Sequence, residues 1–152
     1  MHSIYSRVST YSGVLFNATT VLLLAIALVT HLSWKPLPEA NLTIIDYTRF
    51  NGKTLGVMFN PGVDLTSQFD SPNLKQIFLY LNIKYGKNLE NSEMVWSKIV
   101  TRQAHKIYKS NLKSNYDLRG NFGKKAIFEL RANFFPYVGV ITDKQLAIVE
   151  KI

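Results

Sequence analysis

Hydrophobic and polar positions follow two different periods along this chain, and the change between them divides it. From Val14 to Leu32 there is no Lys, Arg, Asp or Glu, and Val21 to Val29 is unbroken apolar sequence. At a helical rise of ~1.5 Å per residue the run spans roughly 28 Å, close to the ~30 Å hydrocarbon core of a bilayer. No amphipathic stripe divides it, as the core helix of a soluble protein would require. The pattern predicts a short tail over 1–13, a transmembrane signal-anchor helix over 14–34 and one domain over 35–152. A cleavable signal peptide is the rival reading. The residues after the apolar centre, Thr30-His31-Leu32-Ser33-Trp34-Lys35-Pro36, lack an A-x-A-like pair, and Pro36 and Pro38 further disfavour processing there. Before the anchor stand His2 and Arg7 without an acid; after it come Lys35, Glu39, Asp46 and Arg49. The positive-inside rule then gives a small preference for a cytoplasmic N-terminus and a lumenal C-terminal domain.

Beyond Lys35-Pro36-Leu37-Pro38, which cannot continue a helix, the period becomes two. Leu55, Val57 and Phe59 share a face, and their parity continues to Val63 and Leu65 across Pro61-Gly62, a bulge or edge signal. In the run Asn73 to Tyr85, Ile77, Leu79, Leu81, Ile83 and Tyr85 lie on one side, and Gln76, Phe78, Tyr80, Asn82 and Lys84 on the other. Two aromatics on the second face suggest cover there as well, so this strand is expected at the centre of a sheet. Met94 to Thr101 is another strand, with Val95 and Ile99 opposite Trp96. From Lys125 to Phe135, Ala126, Phe128, Leu130, Ala132 and Phe134 are expected inward, and Lys125, Glu129, Arg131 and Asn133 outward. Ile44 to Phe50 and Leu146 to Val149 complete six or seven short strands. Gly86-Lys-Asn, Asp117 to Gly123 and Pro136 to Gly139 supply turns. The fold expected is all-β, an antiparallel β-sandwich domain preceded by a single N-terminal transmembrane helix.

Composition narrows the chemistry. The chain of 152 residues has no cysteine, which removes disulfides, thiolate catalysis and Cys-based zinc sites together. Its formal charge of +8 concentrates in Arg102, Lys106, Lys109, Lys113, Arg119, Lys124, Lys125 and Arg131, against Asp117 and Glu129. That 102–131 stretch reads either as a binder of nucleic acid or anionic lipid, or as the solvated surface of a Lys/Asn-rich chain. His2 and His31 stand in the tail and at the membrane boundary, and His105 stands without an evident partner, so neither a metal site nor a His base is expected. Ser97 and Lys98 are strand neighbours pointing to opposite faces and cannot act as a dyad. Gly120-Asn-Phe-Gly123-Lys124-Lys125 resembles a phosphate loop only loosely, because a strand rather than a helix follows it. No catalytic, metal or cofactor site is expected. Two sequons occur. Asn17 lies in the anchor, and Asn41 is either an acceptor close to the membrane or an unmodified residue at the start of a strand.

Several stretches carry a resemblance. Asn73-Leu-Lys-Gln-Ile-Phe-Leu-Tyr80-Leu81, Val95-Trp96-Ser-Lys98-Ile99-Val100, Leu118-Arg119-Gly120-Asn121 and Asn133-Phe-Phe-Pro136-Tyr-Val-Gly139, in this order after a single anchor, resemble the signal peptidase complex subunit 3 family. Members are accessory subunits of the eukaryotic endoplasmic reticulum enzyme. Members often carry a sequon just after the Gly-Asn turn, which Asn121-Phe-Gly123 is not. The resemblance implies a single-pass type II protein of the endoplasmic reticulum membrane and a structural role. Proteolysis of signal peptides would reside in a Sec11-type catalytic partner. Phe78, Tyr80 and Trp96 are the candidate partner-facing residues, or else they pack an inner face.

Overall fold

The computed structural model describes residues 3–32, 35–50, 54–86, 88–119 and 126–151. Helix α1 runs Ile4–Leu32, starting ten residues before Val14, where the anchor is expected to begin. Its start is set by Ser3, whose Oγ accepts a hydrogen bond from the Ser6 amide at 3.3 Å, an N-cap that satisfies one orphan donor. The hydroxyls inside the helix are satisfied locally. Thr10, Thr20 and Thr30 donate to the carbonyls of Ser6, Phe16 and Ile26 at 2.8–2.9 Å, and Thr19 donates to that of Leu15 at 3.0 Å. In hydrocarbon such bonds remove most of the cost of a hydroxyl, so these threonines do not weaken a membrane helix. From Ile4 to Thr30 the helix is apolar enough to cross a membrane, and none of its most apolar stretch is buried against the rest of the protein.

Strands β1 (Thr43–Phe50), β2 (Thr54–Asn60), β3 (Val63–Asp64), β4 (Leu74–Tyr85), β5 (Asn91–Thr101), β6 (Ile107–Tyr108), β7 (Leu112–Lys113), β8 (Leu118–Arg119), β9 (Ala126–Pro136) and β10 (Thr142–Lys151) follow, with a 3-10 turn at Thr66–Asp70. All the described pairs are antiparallel. One sheet has the order β10-β9-β4-β5; in another β1 pairs β2, which also pairs β7 and β8; β3 and β6 form a third, two-stranded piece. The strand expected to be central is β4, flanked on both sides. Pro61-Gly62 ends β2: the Gly62 amide donates to Asn60 Oδ1 at 3.0 Å, and Gly62 takes φ +57°. A Cβ there would stand 2.4 Å from the Asn41 carbonyl oxygen, so both conformation and space require glycine.

The two larger sheets share one core. Val57 and Phe59 of β2, Ile77, Leu79, Leu81 and Ile83 of β4, and Phe128, Leu130 and Ala132 of β9 have no exposed surface. Phe59 meets Trp96 of β5 edge to face at 5.5 Å, and Trp96 in turn meets Tyr108 at 6.2 Å. The orientation expected of Met94 to Thr101 is corrected by a β-bulge. Leu81 pairs with Trp96 while Asn82 pairs with Met94, so Val95 is the extra residue. Both Val95 and Trp96 are therefore buried, and Ile99 turns outward.

Candidate functional site

Two surfaces stand out. The first is the side of the four-stranded sheet that turns away from the core. On it Phe78 and Tyr80 stack with ring centroids 5.4 Å apart, and Phe78 pairs across strands with Ile99, which is 53% exposed. Met94 and Ile148 on the same side are also exposed. Beside this apolar centre runs a line of charge: Lys84 donates to Glu129 at 2.7 Å, Arg131 lies 3.6 Å from the other Glu129 oxygen, and Arg131 also pairs with Asp143. The bond from Tyr80 to Asp143 adds to burial in raising the Tyr80 phenol above its ordinary pKa, burial being the larger cause. Asp143 also holds the Arg131 guanidinium charged, raising its pKa. An apolar centre bordered by charge is the anatomy of a protein interface.

Glu129 keeps the side its parity assigns but is covered there. It lies on the outward side of β9, yet only 5% of it is exposed, because the aliphatic stems and heads of Lys84 and Arg131 close over it. Of the three residues singled out as partner-facing, Phe78 and Tyr80 share the outer face. Trp96 does not join them, since the bulge at Val95 turns it into the core.

The second surface is where α1 meets the β domain. Lys35 donates to the Ser67 carbonyl at 3.1 Å and to Asp70 at 2.9 Å, while Gln68 donates to the Pro36 carbonyl at 2.8 Å. On the other side Asn73 acts as a tie. Its Nδ2 donates at 2.7 Å both to Thr30 Oγ1 and to the Val138 carbonyl, and its Oδ1 accepts from the Val138 amide at 3.0 Å. The end of α1, the start of β4 and the β9–β10 turn are thus joined through one side chain. Nothing in local periodicity marks Asn73 for this role; a polar residue following Ser71-Pro72 at a strand entry is the only cue.

The other sequence candidates are dispersed. Arg102 donates to the carbonyls of Phe69 and Ser71 at 2.7 Å, and Lys106 lies over the Phe69 ring at 5.5 Å, so both serve the 3-10 turn. Arg131 is engaged on the outer sheet face, and Lys124 and Lys125 lie outside the described residues. His105 is exposed, its ring 5.8 Å from that of Tyr108. Ser97 shares a hydrogen bond with the Tyr116 hydroxyl at 3.1 Å and sits on the face opposite Lys98. Asn41 is exposed, its amide bonded to the Gly62 carbonyl at 3.2 Å. Among the described residues no group of three or more His, Asp or Glu is gathered to hold a metal ion.

Comparison with known proteins then decides the family: a family model described as signal peptidase subunit matches residues 1–152. The chain belongs to the signal peptidase subunit family. It is also similar to signal peptidase complex subunit 3 of Saccharomyces cerevisiae, with 31% identity over 98 residues. That match covers 59% of this chain and 53% of the yeast protein, so it spans about half the length of this curated relative. As a signal peptidase subunit the chain is anchored in the membrane through α1, and its mostly β-sheet domain follows the anchor.

Proposed function

We propose that this chain is a non-catalytic accessory subunit of the endoplasmic reticulum signal peptidase complex, where it holds a Sec11-type catalytic subunit in place over the membrane. The single observation that carries the reading is the family match along the entire chain. The likeness to the yeast subunit 3 supports it, as does the dispersal of the chain's potential nucleophiles and bases.

The geometry supports a definite arrangement. The hydrocarbon core takes ~20 helical residues, which counted back from Thr30 reach Tyr11. Arg7 then stands among the headgroups on the N-terminal side, matching a cytoplasmic tail and a single-pass type II orientation. The 35–152 domain would be lumenal, its two larger sheets facing each other as an antiparallel β-sandwich across the shared core. The outer face with Phe78, Tyr80 and Ile99 would receive the catalytic subunit, with the Lys84–Glu129–Arg131–Asp143 line at its rim.

Affinity purification of the full chain from microsomes in mild detergent tests the docking face. The catalytic serine peptidase, identified by mass spectrometry, is expected to co-purify with the wild-type chain. Several-fold less is expected with a Phe78→Glu/Ile99→Glu variant whose thermal melting is unchanged. Equal recovery with that variant would remove the outer face from the interface. Absence of the peptidase from the wild-type preparation would remove the accessory role itself.

A further inference from the structure

The two ends of the four-stranded sheet have opposite chemistry. At one end the β4–β5 turn reads Gly86-Lys-Asn-Leu-Glu-Asn91, polar as turns usually are. At the other end the β9–β10 turn reads Pro136-Tyr-Val-Gly-Val-Ile141, apolar throughout. Its side chains are not buried: Tyr137 is 66%, Val140 80% and Ile141 55% exposed. Adjacent exposed residues of this kind at a loop tip mark a contact surface.

The position of the turn says what it contacts. Asn73 fastens Val138 to Thr30 at the end of α1. A groove runs between the helix and the turn, walled by Ala27 and Thr30 on one side and by Pro136, Val138, Gly139 and Val140 on the other. Ala27 precedes Thr30 by about 4.5 Å of helix, so the turn reaches back alongside the last turn of the apolar span rather than standing above it. Val140, 80% exposed, lines this groove together with Ala27, so apolar surface of the turn lies beside α1, whose most apolar stretch is unburied. Gly139 takes φ +122°, a backbone that lets the turn fold back toward the helix and that other residues rarely adopt. Lys144, on the same groove, places an ammonium where headgroup phosphates would lie.

We propose that the Tyr137–Ile141 turn is a second membrane contact, seated in the interfacial layer of the leaflet from which α1 emerges. Tyr137 carries its hydroxyl at headgroup level, and Val140 and Ile141 enter the acyl boundary. A helix alone leaves a domain free to swivel about its exit. A second contact, joined to the helix through Asn73, fixes the height and tilt of the β domain above the bilayer. The proposal rests on α1 crossing the membrane and is independent of which partner the outer sheet face receives.

The chain has no cysteine, so single-Cys variants can be labelled without background. The full chain is reconstituted into phosphatidylcholine vesicles containing a lipid with a nitroxide on its acyl chain, and an environment-sensitive fluorophore is placed on Val140→Cys, Ser92→Cys or Leu24→Cys. Ser92 is exposed at the far end of the sheet and Leu24 lies within the anchor. The label at 140 is expected to be blue-shifted and quenched several-fold more than that at 92, both without and with the catalytic subunit bound. Quenching at 24 but not at 140 would overturn the second contact while leaving the anchor intact. Quenching at neither would overturn both. A blue shift at 140 that appears only with the catalytic subunit, without lipid quenching, would make the turn a protein-docking surface and also overturn the proposal.

Discussion

Leu130→Ala tests the register on which the core depends. Leu130 has no exposed surface and sits in β9 opposite Leu81 of β4 and Ala147 of β10. Truncation removes three carbons beyond Cβ, a transfer loss of about 2.5 kcal/mol at ~0.8 kcal/mol per buried methylene. The residual cavity raises the expected cost into the range of about 2–5 kcal/mol. For a domain of this size roughly 4 °C of melting temperature goes with each kcal/mol, so a fall of about 8–20 °C is expected. Trp96 is a built-in reporter, because it packs edge to face against Phe59 and Tyr108 in the same core. Melting the full chain in detergent and following Trp fluorescence in a Trp34→Phe background isolates that signal. A one-residue slip of β9 would carry Leu130 to the outer face, where truncation costs no more than about 0.5 kcal/mol. A midpoint within 2 °C of the parent would therefore refute the packing described.

Other consequences can be read with the same melt or with amide exchange. Glu129→Ala should lower stability by about 1–2 kcal/mol, less than Leu130→Ala, because it strips Lys84 and Arg131 of a covered partner while both keep access to water; an unchanged midpoint would mean the carboxylate is solvated. Tyr85 donates to Glu93, and that bond, with burial, pushes its pKa up to about 12 from an ordinary 10. The unfolded phenol ionises first, so stability present below pH 10 should be lost as pH rises toward 12, and Tyr85→Phe should flatten that decline; a parallel decline would remove Tyr85 as its source. Asn73→Ala should cost about 1–3 kcal/mol and speed hydrogen exchange at the Val138 amide, whose acceptor is Asn73 Oδ1; wild-type protection there would refute the tie.

How much was legible in the sequence depended on how long each pattern ran. β4 and β9 alternate over eleven or twelve residues, so their inward sets, including Leu130, could be read from parity alone. β3, β6, β7 and β8 have two residues each, too few for any period; β7 and β8 take their pairing from the longer β2, while β3 and β6 pair with each other. Parity also failed at Val95, where one inserted residue reverses every assignment on one side of it and sends Trp96 inward. Glu129 obeyed its parity, but its cover comes from Lys84 on a strand distant in sequence, which periodicity cannot report. The early start of α1 was written locally, in the Ser3 cap, but the apolar run beginning at Val14 was the stronger visible signal. Phe78 and Tyr80 were legible as a second apolar face. The tie made by Asn73 was not, because it joins three segments that meet only in the folded protein.

The central claim, an accessory subunit without peptidase activity of its own, is tested most directly by reconstitution. The purified full chain, the Sec11-type catalytic subunit and the pair are each incubated in lipid vesicles with a precursor carrying an intact signal peptide. The account predicts no cleavage by this chain alone, and recovery of the catalytic subunit and processing that both rise when the chain is added. Cleavage by this chain alone would contradict it, as would catalytic-subunit recovery and processing that ignore the chain's presence.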